Sequence, residues 1–319
     1  MTGVKEKSVI VVGAGNWGKN LIRNFHCLGA LYGVAETDPQ LREAVAKNYH
    51  DIQIYTDFSD ALKTDVSAIV LATPAPTHYQ LAMSALIAGK DVFVEKPMTL
   101  QTNEARKLSE YADQQGRVLM VGHLLLYQPA IAWMRDYLAT GKAGQVRHVA
   151  TQRLKLGKVR REENVWWSFA PHDVSVVLDL LGNPKLKQVK AQGRAILQPK
   201  IADFVQVDLS FQTGQSAQIT CSWYWPLIER STVVIAEKQM IVYEEVQQTV
   251  TIHNKHIDPN LQHYDEGTEI VEVAASEPLK LECQHFLDCL KSRQKPRSDG
   301  ANGVAVIEIL EEAEKHLHE

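Results

Sequence analysis

The sequence predicts an α/β chain in two parts: a doubly wound parallel sheet, then an α+β region built on a large, open, mostly antiparallel sheet. Three features carry this. Apolar strands alternate with helical patterns through the first third. A glycine-rich turn joins the first strand to the first helix. After Gly122 the apolar period falls to two, the period of a sheet with one face buried and the other different.

Taken in order, residues 8–12 read as a buried strand and 17–28 as the helix after it. A second strand follows at 31–36, a short helix at 41–48 and a third strand at 52–55. A fourth strand at 68–73 leads to a helix at 78–88, a fifth at 91–95 leads to a helix at 103–115, and a sixth covers 118–122. Two three-strand halves in succession are the plan of a dinucleotide-binding Rossmann domain. One more helix is predicted at 130–140, and strands dominate from Val146. There Val205, Val207, Leu209 and Phe211 alternate with Gln206, Asp208 and Ser210, and Ala217, Ile219, Cys221, Trp223 and Trp225 keep the same period. Amphipathic helices follow at 279–290 and 304–317, separated by Pro296 and Gly300. The expected domains are 1–124, for the cofactor, and 125–319, for substrate and assembly.

With 319 residues, 45% hydrophobic and 23% charged, the chain can fill two cores and is not of disordered composition. Lys and Arg number 34 against 38 Asp and Glu, a net charge of -4, which offers no basic footprint for nucleic acid or a membrane surface. Cys27, Cys221, Cys283 and Cys289 have neither CxxC spacing nor a His pair at zinc-ligand spacing, so they read as reduced thiols and no metal is expected. The polar stretch 1–7 is not a signal-peptide core, and no apolar run reaches bilayer length. A cytoplasmic location is expected.

Gly13, Ala14, Gly15, Asn16, Trp17 and Gly18 fit GxGxxG directly between a strand and a helix. Gly13 permits the tight turn, Gly15 lets backbone approach a pyrophosphate, and Gly18 lets helix and strand pack closely. With Asn16 and Trp17 between them, they offer a helix N-terminus to phosphate. Glu36, ending the second strand, suits the adenosine ribose hydroxyls and would repel a 2′-phosphate, which favours NAD over NADP. Asp38 is the rival for that role, with a turn at Pro39 as its other reading.

Ligands of open parallel sheets bind at the carboxyl ends of the strands. That rule selects Thr73 and Pro74, then Glu95, Lys96 and Pro97, then His123. Two readings stand for Lys96: a lysine whose charged form is disfavoured in a crevice beside a cationic ring, or a surface lysine paired with Glu95.

The run Glu95-Lys96-Pro97 after a strand, with Ala72-Thr73-Pro74 and His78 upstream, resembles the Gfo/Idh/MocA oxidoreductase family, and the open-sheet second part extends the resemblance over the whole chain. The resemblance implies an NAD cofactor held near Thr73, Pro74, His78, Glu95, Pro97 and His123. It implies a Lys96 that reaches the substrate carbinol and the nicotinamide ribose, and a peptide bond before Pro97 that is often cis. It also implies a general base at His172, in Ser168-Phe169-Ala170-Pro171-His172-Asp173. This chain departs from the pattern in two places. Ser168 stands where the family has Asp, although Asp173 adjoins His172. The family's arginine after the sixth strand is absent, leaving His123 and Tyr127 in that segment. The family commonly pairs into dimers or tetramers through the open sheet face, here carrying Gln206, Asp208, Ser210, Gln218, Thr220 and Tyr224.

Arg153 and the cluster Lys158, Arg160 and Arg161 are the candidate contacts to an anionic substrate, and Lys96, Tyr127, Ser168, His172 and Asp173 are the other expected substrate contacts. The cluster has a second reading, a solvated loop balanced by Glu162 and Glu163. The longer strings 121–127 and 160–166, leading to 171–173, resemble a subgroup of the family acting on UDP-N-acetylhexosamines. That resemblance implies oxidation of the C3 hydroxyl of UDP-N-acetylglucosamine, as in lipid A or surface-polysaccharide amino-sugar synthesis, with an aminotransferase taking the 3-keto product. Three alternatives stand beside it: oxidation of the 6-carboxylated sugar UDP-N-acetylglucosaminuronate, another sugar or inositol dehydrogenase or ketosugar reductase, and a non-catalytic NAD-binding regulator. The presence of both Lys96 and His172 argues against the last.

Overall fold

The computed structural model describes residues 7–317. Of the polar start at 1–7 only Lys7 lies within them, and residues 318–319 of the expected second domain lie outside. By its contacts the chain divides into two units. One holds the described residues up to Leu124 together with Glu277–Ile307, and the other holds Leu125–Ser276 with the residues from Glu308 onward.

The first unit carries six strands, β1 (Val9–Val12), β2 (Leu31–Ala35), β3 (Gln53–Tyr55), β4 (Ala68–Leu71), β5 (Asp91–Glu95) and β6 (Leu119–Gly122), all paired in parallel in the order β3-β2-β1-β4-β5-β6. Every residue of β1, β4, β5 and β6 is buried, as expected of strands covered on both faces. The helices between them are α1 (Gly18–Cys27), α2 (Pro39–Asn48), α3 (Phe58–Leu62), α4 (His78–Ile87) and α5 (Thr102–Gln114). α3 was not foreseen, because five residues are too few to show a helical period. Asp57 starts it by accepting from Ser59 N at 2.6 Å.

Residues 277–307 correct the expected domain division, which gave them to the second part. The helix α8 (Pro278–Ser292) places Phe286 edge-on to Phe25 and Phe93, with ring centroids 6.4 and 5.6 Å apart. Further on, Val121 N donates to Ser298 O at 2.8 Å and Ser298 Oγ to Val121 O at 2.7 Å, which covers the open edge of β6. An amphipathic pattern shows that a helix covers a core but not which core.

The second unit holds α6 (Pro129–Ala139), β7 (Val146–Leu154), α7 (Val165–Leu181), β8 (Leu186–Arg194), β9 (Phe204–Phe211), β10 (Ser216–Ser222), β11 (Glu229–Ala236), β12 (Met240–Glu244), β13 (Thr249–Ile257) and β14 (His263–Val271). Its sheet runs β14-β13-β12-β11-β7-β10-β9-β8, antiparallel except where β10 lies parallel to β7. Val205, Val207, Leu209, Phe211, Ala217, Ile219 and Cys221 are buried, the face that the period-two pattern marks. α7 packs on that sheet against β7, β9 and β10. Trp223 is fully buried, while Trp225 is half-buried and tilted against Phe204. On the opposite face Asp208 and Tyr224 are exposed and Gln206, Ser210, Gln218 and Thr220 are half-buried. The helix α9 (Gly300–His316) contains the division between the units. Among the described residues no helix is long and apolar enough to cross a membrane.

Candidate active site

In the first unit, the turn between β1 and α1 has room only for glycine at two points. Gly13 has φ +94°, and a Cβ there would stand 2.9 Å from Ala72 O. A Cβ on Gly18 would come within 2.0 Å of Gly13 O. Gly15 is different: a Cβ there would meet no atom within 4 Å, so at this point the loop faces open space. Asn16 and Trp17 beside it are exposed. Backbone N–H groups next to such space, at a helix start, form a cradle for phosphate.

Glu36, just past β2, is pinned in place. One carboxylate oxygen accepts from Ala14 N at 2.6 Å and the other from Asp38 N at 2.9 Å. Asp38 itself caps α2, accepting from Gln40 N and Leu41 N at 2.7 and 3.1 Å, which leaves Glu36 as the carboxylate beside the glycine turn. The Arg42 guanidinium donates to the carbonyls of Glu36 and Thr37, at 2.9 and 2.6 Å. A cavity of about 260 Å³ opens here, lined by Gly13, Glu36, Thr73 and Pro74 and also by Thr37, Thr56, Phe58 and Thr77. The last four were not singled out from sequence. The rule that sites lie at strand carboxyl ends points to their loops, but the helical signal of α3 was too short to place Phe58. Open space at Gly15, a fixed carboxylate and a largely apolar cavity beside it fit the adenosine diphosphate half of a dinucleotide.

His78 lies behind this surface, only 1% exposed. Its Nδ1 faces Pro97 O at 2.7 Å and its Nε2 faces Thr73 O at 2.8 Å, so it ties the end of β4 to the turn after β5. Burial pulls its pKa below the ordinary value, against the pull of the two carbonyls. The Lys96–Pro97 bond is cis. Glu95 is buried and accepts from the Trp17 indole N–H and, at 3.2 Å, from Lys96 N, which links the glycine turn to the lysine turn. A Cβ on Gly122 would lie 2.9 Å from a Glu95 carboxylate oxygen, so β6 must be bare there. Burial pushes Glu95 up to about 7, opposed by Trp17 and Lys96. His123, only 1% exposed, is pulled down to about 3, by burial first and then by the charge of Lys96. It is therefore a neutral imidazole at working pH, enclosed in the protein.

Sequence reasoning missed one further group here. Glu282, on α8, has no exposed surface, and neither carboxyl oxygen has a hydrogen-bond partner among the described residues. Burial, then the charge of Glu95, pushes its pKa well above the usual range, which favours the neutral acid. The signal was available: Glu282 interrupts the apolar stripe Leu279, Cys283, Phe286, Leu287 and Leu290.

In the second unit, α7 carries His172. Asn164 caps the helix, its side-chain oxygen accepting from Trp167 N at 3.2 Å while its amide donates to Glu314 at 2.8 Å. Gly182, with φ +79°, ends it. Ser168 and His172 stand four residues apart and share a helix face, both half-buried. Asp173, next to His172, is buried and accepts from Arg153 at 2.7 and 3.1 Å. Arg153 also donates to Glu245 at 3.1 Å, and Glu245 accepts from Arg230 at 2.9 Å. Burial raises Asp173 in spite of Arg153. Glu245, with two guanidiniums beside it, ends below the ordinary value although burial pushes the other way. Arg153 and Asp173, expected as substrate contacts, are thus engaged with each other. Tyr127 is 4% exposed and likewise enclosed by protein. Lys158, Arg160 and Arg161 are exposed, and Arg160 faces Glu163 at 3.7 Å. Within this unit the structure joins Arg153 to Asp173 and sets Ser168 and His172 on one face of α7.

The first unit is thereby defined as the cofactor domain of a dinucleotide-dependent oxidoreductase. Comparison with known proteins supplies the particular family. Residues 7–123 match the model described as "Oxidoreductase family, NAD-binding Rossmann fold", and residues 131–242 match the GFO/IDH/MocA C-terminal domain. The chain belongs to the Gfo/Idh/MocA oxidoreductase family and binds NAD. It is 27% identical, over 93% of both chains, to UDP-N-acetylglucosamine 3-dehydrogenase of Acidithiobacillus ferrooxidans. The solved structure of that enzyme, GnnA, matches with a TM-score of 0.86 and 24% identity over 97% of both chains, a likeness of fold. Scyllo-inositol 2-dehydrogenase (NAD(+)) of Bacillus subtilis is 24% identical over 72% of this chain and 69% of its own.

Proposed function

We propose that this NAD-dependent dehydrogenase oxidises the C3 hydroxyl of UDP-N-acetylglucosamine to the 3-keto nucleotide sugar. The observation that carries the reading is the similarity to a UDP-N-acetylglucosamine 3-dehydrogenase over nearly the full length of both chains. The motif residues Lys96 and His172 support it. Oxidising a secondary alcohol removes a hydride from carbon and a proton from oxygen, and NAD, when bound, accepts the hydride. In this reading the His172 imidazole takes the hydroxyl proton and the Lys96 ammonium stabilises the alkoxide that develops. Glu36 and the glycine turn hold the cofactor. Thr73, Pro74 and Pro97 shape its site, and His78, Glu95 and His123 support it from behind. A 3-keto product suits an aminotransferase as its consumer, and the open sheet face around Asp208 and Tyr224 is the proposed pairing surface between copies.

The test follows NADH absorbance with UDP-N-acetylglucosamine, UDP-N-acetylglucosaminuronate, N-acetylglucosamine and myo-inositol, with an aminotransferase and amino donor present to draw off ketosugar. Turnover of the first alone is expected. Lys96→Ala and His172→Ala should each lower kcat by ~10²–10⁴-fold. Turnover of myo-inositol with none from either nucleotide sugar would overturn the reading.

A further inference from the structure

In the second unit a half-buried cation, Lys155, lies beside an ion-pair network without entering it. Arg153 and Lys155 are two residues apart at the end of β7, so their side chains leave on the same side. Arg153 is held by Asp173 and Glu245, and Arg230, its cross-strand neighbour, is held by Glu245. Lys155 has no carboxylate partner among the described residues; its ammonium stands 5.3 Å from the centroid of the Phe169 ring. Three cations therefore share two carboxylates, and one positive charge is left over. The half-buried ammonium is disfavoured by burial and by Arg230 and Arg153, which lower its pKa. A fold that only needed packing at this point would be better served by an uncharged side chain.

The position of this charge has chemical meaning. Phe169 lies three residues before His172 on α7, so the two share one helical face. The ring beneath the ammonium is thus carried about one helical turn from His172 on α7. Lys158, Arg160 and Arg161 lie further along a solvated loop, with Arg160 already facing Glu163.

We propose that Lys155 is a specificity residue that binds an oxyanion of the substrate beside His172. The inference deepens the nucleotide-sugar reading and rests on it only in placing substrate at His172. The shared chemistry is an oxygen anion, which a sugar nucleotide can supply either as its diphosphate or as a 6-carboxylate. The Phe169 ring lies under the ammonium, and the Arg153 network behind it, two guanidiniums on two carboxylates, leaves no carboxylate over to neutralise it.

Binding to the NADH-loaded protein is measured by titration calorimetry with UDP, N-acetylglucosaminuronate and N-acetylglucosamine, for wild type, Lys155→Met and Lys155→Arg. Methionine keeps an unbranched side chain of similar length and removes the charge, and unchanged thermal melting shows that the fold is intact. The expected result is a ~10–100-fold loss for at least one anionic probe in Lys155→Met, the worth of a charge-assisted contact. Lys155→Arg should recover most of it, and N-acetylglucosamine should bind all three proteins alike. UDP and the uronate separate the two sources of the anion. If wild type binds the uronate through Lys155 but not UDP, the nucleotide-sugar reading fails while the role of Lys155 stands. Equal binding of both anions by wild type and Lys155→Met overturns the inference, and so does an equal loss of the neutral sugar.

Discussion

The two units bury charge in opposite ways. Behind the lysine turn of the first unit, Glu95, Glu282 and His123 are enclosed, and neither Glu282 nor His123 has a hydrogen-bond partner for its side chain among the described residues. Behind His172 in the second unit, Arg153, Asp173, Glu245 and Arg230 are joined oxygen to nitrogen. Unpaired buried groups escape the cost of charge by taking the neutral form, so burial raises the pKa of a carboxylic acid and lowers that of a histidine. Paired groups keep their charges and fix geometry instead. The first cluster is therefore built to respond to protons, and the second to hold α7 against the sheet.

The sharpest break of that contrast is Arg153→Ala. It would leave Asp173 buried without its hydrogen-bonded counter-charge, with only the more distant Arg230 to oppose it, and removing one partner of a buried pair costs ~3–5 kcal/mol. Urea unfolding should show that loss as a lower midpoint with an unchanged slope. A midpoint like that of wild type would mean that the network is not what holds α7.

The same logic run in reverse applies to Glu282. Glu282→Leu removes an unsatisfied buried carboxyl that contributes no bond, and the expected gain is ~1–3 kcal/mol at neutral pH. The gain should grow with rising pH. An acid whose folded pKa is raised above its unfolded value favours the folded state below the unfolded value and loses that advantage as pH climbs through the folded one. Destabilisation on losing Glu282 would show that its carboxyl has a partner that the contrast denies.

The two clusters also differ in how far the sequence disclosed them. The parallel sheet and its order were legible, since alternating strands and helices with a glycine turn admit few other topologies. Glu36 and Lys96 were legible because strand ends are where such sheets hold ligands. Glu282 was half legible, as a carboxylate in an apolar stripe, but the stripe does not say which core it enters. For the same reason 277–307 was assigned to the wrong part. Arg153 and Asp173 were found as charged residues near His172, but not as a pair, because their contact joins β7 to α7 across a loop that no local pattern spans. The exposed strand β14 left no period to read, since nearly every residue in it faces water.

The smallest expected effect tests the imidazole of the first cluster. His123 is neutral in the fold, with its pKa pulled from 6.5 to about 3. A histidine with a depressed folded pKa contributes stability that is complete above the unfolded value and is lost as pH falls below it, because the unfolded chain then takes up a proton that the folded one refuses. Between pH 7 and pH 5.5 the loss is about 1 kcal/mol for one such group. His123→Asn, which cannot titrate, should remove that part of the acid slope, read as the difference between two unfolding series. The Glu95–Glu282 pair acts with the opposite sign over the same range, so wild type alone shows a muted slope and only the difference between variant and wild type isolates His123. Identical slopes in the two proteins would mean that His123 finds a proton acceptor in solution and belongs with the paired cluster rather than the unpaired one.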